Sequence, residues 1–467
     1  VGGQPFYDRS LELAALEAEW RRGGFSLAIV YGRRRVGKTA LLRRFLRGRR
    51  GVYYVAAELP AERLHREFAE VAGEELGVYL PGDIVAALER IASMGERVAV
   101  VLDEFQYIAE ADPGLASRLQ RSIDTRLAES RLMLILCGSA VSFFEERLLG
   151  GRAPLFGRRT RSLKLRPLKL LDAHGFYQAA EGFREEAAMY AVLGGTPAYA
   201  LHATGARRLE ELLARILEPG HPLLTEPLDL LRQELREPRS YLSLLQAIAE
   251  GRTRSGEAAQ AAGIDPRSIH HYLAVLEQLD IVEKRRPLGR RKGHQLAIKD
   301  PFFAYWLTVT PRVQSLVEAG LRDKAVETAK RLVEERLLGP VLEKILQDHL
   351  PELHDAGLIP VTPIEHGPWW ARGEEIDIVV RDPGHAAAFI EVKTRATQAE
   401  AEHIARRLRA KAAKTGLQEP ANHYIVAAAE TDTSGPTTTL GENTILLNLS
   451  EAWRILVERH RHRWRPH

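Results

Sequence analysis

The stretch FSLAIVYGRRRVGKTALLRRFL, residues 25–46, limits what this chain can fold into more than any other. An apolar run with the character of a buried strand enters a glycine-bounded loop, and the loop opens a helix. Gly32, Gly37, Lys38 and Thr39 satisfy G-x-x-x-x-G-K-[ST]. In such a loop the backbone N–H groups of Gly32, Arg33, Arg34, Arg35, Val36 and Gly37 can wrap a phosphate, while Lys38 reaches the outer phosphates. Thr39 offers a hydroxyl to magnesium, and the positive end of the new helix faces the anion. ATP with Mg2+ is the expected cofactor pair. Arg33, Arg34 and Arg35 lie inside the loop and need no separate partner.

A second apolar run, ERVAVVLDEFQYI, ends in Asp103–Glu104. Its uninterrupted apolar core suits a parallel strand buried on both faces. Asp103 at the strand tip can hold hydrated magnesium, and Glu104 can polarise the attacking water. A third run, RLMLILCGS, ends in Ser139. Two readings stand for this serine, a sensor of the γ-phosphate or a turn cap. Arg158 and Arg159 follow GRAPLFG, and two readings stand here as well. Either they complete the clamp on a neighbouring subunit's nucleotide, Arg158 before Arg159, or they form a solvated basic loop.

At 467 residues the chain is too long for one ordinary core, so two to four domains are expected. The formal charge is only +4, so partners must be read from where cations cluster. The single cysteine, Cys137, excludes an internal disulfide and any multi-cysteine metal site, and its apolar setting marks it as packing. The longest uncharged apolar run, LMLILCGSAVSFF, is short for a bilayer span. FYDRSLELAALEAEW reads as folded helix rather than a secretory leader, so a cytoplasmic location is the expectation.

Four regions follow from the pattern: 1–165 around the phosphate loop, 166–235 mainly helical, 236–310 a winged helix-turn-helix, and 325–467 a second α/β region. Within the third, helices are expected over 239–250, 255–262 and 266–279, with Asp265–Pro266 starting the last. Strand IVEKRRPL and its return GHQLAIKD form the wing. The last helix would expose Arg267, Ser268, His270 and His271. Lys284, Arg285, Arg286, Arg290, Arg291 and Lys292 make the wing strongly basic, with no acid among them. Such density suits phosphate contacts on DNA; a protein-docking role is the alternative. The paired histidines lack companions for a zinc site.

In EEIDIVVRDPGHAAAFIEVKT, residues 374–394, the DPG turn folds two apolar strands into a hairpin. Pairing centred on Gly384 sets Asp377 opposite Glu391, and Lys393 shares the face of Glu391. Two carboxylates and the Val392 carbonyl offer hard oxygen ligands for Mg2+ or Mn2+, which can acidify a water for attack on a phosphodiester while Lys393 orients it. Glu343, on the preceding helix, is a further candidate ligand. A solvent-facing salt bridge is the alternative, set against the cost of charges in so apolar a setting. Trp369–Trp370 either stack on a base or pack under the sheet. The tail ERHRHRWRPH either contacts a backbone or is disordered.

Together these signatures resemble the archaeal-type P-loop ATPases, related to signal-transducing NTPases and the AAA+ group, whose C-terminal domain is similar to restriction endonucleases. FYDRSLELAAL, GRRRVGKT, LDEFQ, CGSAVSFF, PLFGRRT, LGGTPAY, KDPFFAYW, WWARGEEIDIVV and FIEVK carry the resemblance in order along nearly the whole chain. It implies nucleotide binding and hydrolysis by Lys38, Thr39, Asp103 and Glu104. It also implies a D…E-x-K nuclease core at Asp377, Glu391 and Lys393, with Glu343 as the helix acid. The expectation is an α/β protein of three parts: a P-loop NTPase domain, a helical and winged-helix region, and a restriction-endonuclease-like domain. Its function would be ATP-coupled DNA processing, of a defence-like kind, with metal-dependent cleavage. The alternative is an ATP-dependent switch or DNA-remodelling motor whose C-terminal domain binds without cutting. Homo-oligomers are expected if an arginine acts in trans.

Overall fold

In the computed structural model, which describes residues 6–461 apart from 152, 236, 291 and 292, the three apolar runs become neighbouring parallel strands. Arg291 and Lys292 of the wing, and residues 462–467 of the basic tail, lie outside the described residues. The chain divides into two compact units, meeting in sequence at Pro167 and Leu168.

The first unit holds strands β1 (Ser26–Tyr31), β2 (Gly51–Val55), β3 (Val98–Asp103), β4 (Leu132–Gly138) and β5 (Arg161–Lys164), in the order β2-β3-β4-β1-β5. Every neighbouring pair is parallel. Strands β1, β3 and β4 are buried along their whole length, as uninterrupted Val, Leu and Ile runs require when both faces of a sheet are covered. Parallel pairing sends the carboxyl ends of these three strands to the same edge, with Tyr31 beside Gly138 and Leu102 beside Leu136. The phosphate loop, Asp103–Glu104 and Ser139 therefore leave the sheet together. Cys137 is fully buried in the core with Leu16, Val30, Phe45 and Ile135, so it packs as expected.

Gly32 shows how tight that edge is. Its φ is +155°, and a Cβ there would stand 2.3 Å from the Leu165 carbonyl oxygen. No side chain fits such an approach to backbone.

The second unit opens with helices at Leu170–Tyr177, Phe183–Leu193 and Leu209–Ile216. Helix Glu226–Glu234 leads to three more, Pro238–Ala249, Ser255–Ala261 and Ile269–Gln278, then the antiparallel pair β6 (Val282–Arg285) and β7 (Gln295–Ile298). This is the winged-helix arrangement, with one correction. The third helix begins at Ile269 and not at Pro266. The Asp265 carboxylate accepts the Arg267 N–H at 2.8 Å, and the Ser268 N–H reaches the Asp265 carbonyl at 2.8 Å. An Asp-Pro pair can close a local turn as well as start a helix, and here the turn wins.

Five helices between Pro301 and Asp355 lead to a six-stranded mixed sheet: β8 (Glu365–Ala371), β9 (Glu374–Asp382), β10 (Ala386–Arg395), β11 (Ala421–Glu430), β12 (Thr437–Gly441) and β13 (Thr444–Asn448). Its order is β12-β13-β11-β10-β9-β8. Strands β9 and β10 form the expected hairpin, pairing Asp382 with Ala386 and Ile378 with Ile390, a register centred on Gly384. The parallel step from β10 to β11 runs through helix Gln398–Ala412, which Thr397 and Glu400 start with a reciprocal capping box. Helix Leu338–Asp348 packs against β9 and β10. Among the described residues no helix is long and apolar enough to cross a membrane.

Candidate functional site

The phosphate loop closes on itself. Lys38 is buried, and its Nζ donates to the carbonyls of Gly32 at 2.8 Å and Arg33 at 3.1 Å. An ammonium held by loop carbonyls is placed to exchange them for phosphate oxygens. Gly37, at φ 96°, turns the chain into helix Lys38–Leu46. Arg9, which the sequence pattern did not single out, secures the loop from outside. Its Nη2 donates to the Val36 carbonyl at 2.9 Å and to the Arg166 carbonyl at 2.6 Å, tying the N-terminal segment to the loop and to the chain after β5. Arg33 is buried, and Arg34 reaches the Tyr107 hydroxyl at 3.4 Å.

Asp103 gathers donors. Its Oδ2 accepts from Thr39 Oγ1 at 3.3 Å and from the Tyr53 hydroxyl at 2.5 Å, and its Oδ1 accepts from the Glu104 N–H at 2.9 Å. Burial, then the Asp103 charge, pushes the Tyr53 phenol far above its ordinary range, so it remains a donor. Tyr53 sits on β2, one strand from β3, and escaped the motif reading because nothing local marks it. Glu104 occupies a left-handed backbone conformation (φ 53°). Its Oε2 accepts from Ser139 Oγ at 2.9 Å, Ser139 N–H at 3.3 Å and Gln106 Nε2 at 2.5 Å. The structure therefore brings Lys38, Thr39, Asp103, Glu104 and Ser139 to one edge. A hydroxyl and a carboxylate meeting at one point is a donor set that fits a hydrated magnesium ion.

Arg158 is engaged on its own chain. Its Nε and Nη2 donate to the two carboxylate oxygens of Asp124 at 3.0 and 2.8 Å, and the guanidinium holds Asp124 below its ordinary carboxylate range. Arg159 lies over the Phe156 ring at 4.7 Å.

In the winged helix, Arg267, Ser268, His270 and His271 are exposed. Arg267 bonds to the Asp265 carboxylate. The wing is less of an open basic patch than its composition suggests. Lys284 pairs with Glu277 and Arg285 with Glu283, both at 2.7 Å, while Arg286 and Arg290 are exposed. The compensating acids come from the neighbouring helix and the first wing strand.

The second cluster draws on three elements. Asp377 on β9 accepts the Val392 N–H through Oδ2 at 2.7 Å. Glu391 on β10 bonds Lys393 at 3.1 Å and Lys411, from helix Gln398–Ala412, at 3.3 Å. Burial and then the Glu391 charge raise Asp377 to about 6. Burial and then the Asp377 charge raise Glu343 to about 7, with Arg285 and Lys393 opposing. So Glu343, Asp377, Glu391 and Lys393 do share one neighbourhood, and Lys411 joins it unannounced by any motif. No group of three or more His, Cys, Asp or Glu among the described residues is arranged to hold a metal ion. Glu391 is turned to its two lysines. Trp369 is buried under the sheet with Ile376, Phe389 and Leu417, so it packs and is not available for stacking on a base.

Residues 6–202 match the family described as an ATPase domain predominantly from Archaea, and residues 306–404 match a family of archaeal and bacterial proteins of unknown function. An uncharacterised protein of Methanocaldococcus jannaschii is 30% identical over 426 residues, covering 90% of this chain and 95% of the relative. An uncharacterised ATP-binding protein of the same organism is 47% identical over 45 residues, 10% of this chain and 76% of that one. The solved Walker-type ATPase of Pyrococcus abyssi is similar in fold at 20% identity and a TM-score of 0.50, covering 65% of this chain and 98% of that structure. With its phosphate loop, its Asp103–Glu104 pair and a relative matched almost end to end, the chain belongs to the archaeal P-loop ATPases.

Proposed function

We propose that the protein is an ATP-driven switch or remodelling motor that binds DNA through its winged helix, with the C-terminal sheet as a further binding element. The convergence of Lys38, Thr39, Asp103, Glu104 and Ser139 carries this reading. In it, the loop N–H groups and Lys38 hold the phosphates. Thr39 and Asp103 would hold Mg2+, which would supply charge neutralisation for the phosphates. Glu104 orients the attacking water. Because Ser139 bonds Glu104 directly, a γ-phosphate that draws the Ser139 hydroxyl away also changes the hold on Glu104, which links nucleotide state to hydrolysis. Exposed Arg267, His270 and His271 meet the duplex. The test is phosphate release by the full chain, with affinity for labelled duplex DNA measured in ATP analogue, ADP and no nucleotide. DNA affinity that ignores nucleotide state, or no hydrolysis in the presence of Mg2+, would overturn it.

A second reading, phosphodiester cleavage at a restriction-endonuclease-like centre, is favoured by one observation. Burial raises both Glu343 and Asp377, the Asp377 charge adds to the rise at Glu343, and a divalent cation would compensate them. Asp377 and Glu343 would hold Mg2+ or Mn2+ there, and Lys393 would orient the water. Glu391, bonded to Lys393 and Lys411, would first have to leave its lysines. Cutting of plasmid DNA that disappears in Asp377→Ala while ATP hydrolysis persists would establish this reading; cutting unchanged by the substitution would remove it.

A further inference from the structure

The wing does not stand free of the C-terminal sheet. The Leu288 N–H, at its tip, donates to the Pro368 carbonyl on β8 at 2.8 Å. The Leu288 side chain packs on the apolar cluster that contains Trp369, Ile376, Phe389 and Leu417. Gly289 lies against Leu417, so close that a Cβ would stand 2.7 Å from Cδ2. One hydrogen bond and a shared core thus join two regions that the motifs treat as separate domains.

The consequence is a juxtaposition of charge. At the base of the wing, Arg285 lies near enough for its guanidinium to stabilise the Glu343 carboxylate. At the tip, Arg286 and Arg290 are exposed, and neither forms an ion pair with a described residue. Exposed guanidinium groups on a turn anchored at Leu288 are phosphate-binding groups whose backbone is already partly placed. We propose that the wing and the β8–β9 edge of the C-terminal sheet form one DNA-binding surface, in which Arg286 and Arg290 grip the phosphodiester backbone of a duplex. The bound duplex then runs alongside Glu343 and Asp377 and does not leave the protein at the wing tip. This rests on the DNA-binding reading given above and adds where the DNA lies. The arginines contact backbone, so they position the duplex without reading its sequence.

The test uses the full chain and a labelled duplex. Arg286→Glu with Arg290→Glu is expected to weaken binding at least tenfold and to lower the slope of log affinity against log salt by about two. ATP hydrolysis without DNA, unchanged in this variant, confirms that it is folded. Position is read separately with Glu375→Cys, an exposed site on β9, carrying a thiol-tethered iron–EDTA cleaver. Cys137 is buried and stays unlabelled. Localised strand breaks in the bound duplex, lost in the double-arginine variant, are the expected result. Wild-type affinity and salt slope in that variant, or a bound duplex left intact by the cleaver, overturns the composite surface. If Arg267→Glu alone abolishes binding while the wing variant binds normally, DNA sits on the helix only; the DNA-binding reading survives and this inference does not. If the native chain binds no duplex, both fall, and the winged helix docks protein.

Discussion

The two carboxylate centres of this protein are built in opposite ways. At the phosphate loop, every acid already has neutral donors: Asp103 has Thr39, Tyr53 and its neighbour's N–H, and Glu104 has Ser139 and Gln106. In the C-terminal sheet, Asp377 has one backbone N–H; burial and then the Glu391 charge raise Asp377 to about 6, and burial and then the Asp377 charge raise Glu343 to about 7. The first centre is preorganised, its charges compensated before any ligand arrives. The second holds acids that gain most from a proton or a cation. The two centres thus differ in electrostatics: the acids of the first are met by neutral donors, and those of the second are raised by burial.

Hydrolysis should show the largest effect. Glu104→Gln is expected to lower ATP turnover at least a hundredfold with nucleotide binding retained, whereas Lys38→Ala loses binding itself; phosphate release and fluorescent-nucleotide titration separate the two. Normal turnover in Glu104→Gln would break the contrast, since the preorganised centre would then not be the hydrolytic one. Tyr53→Phe removes a donor to a carboxylate, an interaction worth about 1.5–3 kcal/mol. A tenfold or greater fall in turnover is expected, with a higher Mg2+ requirement and normal Mg2+-free nucleotide binding. An unshifted Mg2+ requirement would reduce Tyr53 to packing.

The C-terminal centre should reveal itself through pH. Acids with raised folded-state values favour the fold when protonated. Their contribution is fully present below the unfolded values, near 4, and is lost as pH rises through about 6 and about 7. Glu343→Gln with Asp377→Asn should therefore gain stability relative to the native chain as pH rises from 5 to 8, by roughly 4 kcal/mol at about 1.4 kcal/mol per pH unit for each acid still titrating. Denaturant melts at both pH values measure this. Divalent cation should stabilise the native chain and not the double variant; parallel pH profiles without cation would show that the acids are not strained. The smallest effect belongs to Arg158→Ala, which should leave thermal unfolding unmoved because its Asp124 pair is exposed. If Arg158 serves a neighbouring subunit, turnover falls and mixing with Lys38→Ala chains restores part of it. No change in turnover would leave Arg158 a surface residue.

Much of the first unit was legible because each motif is a local pattern with a local consequence. A fully apolar run followed by glycine and lysine becomes β1 and its loop; Asp103 and Ser139 end runs of the same kind. The β9–β10 register was legible for a similar reason, since a DPG turn counts the pairs outward from Gly384. Arg9, Tyr53 and Lys411 were not. Each meets its partner across elements whose adjacency no short window encodes. The start of the third winged-helix helix was misplaced because Asp-Pro serves two competing local bonds, and only the surrounding chain chooses between them.

By itself, then, the order of residues determined the identity of the strands, the loop chemistry and the hairpin pairing, because hydrophobic periodicity and turn chemistry act over a few residues. Only the tertiary structure decided which acids are satisfied and which are strained, and that the wing is fastened to the C-terminal sheet through Leu288 and Pro368. Desolvation and charge compensation depend on everything that packs around a group, wherever in the chain it comes from.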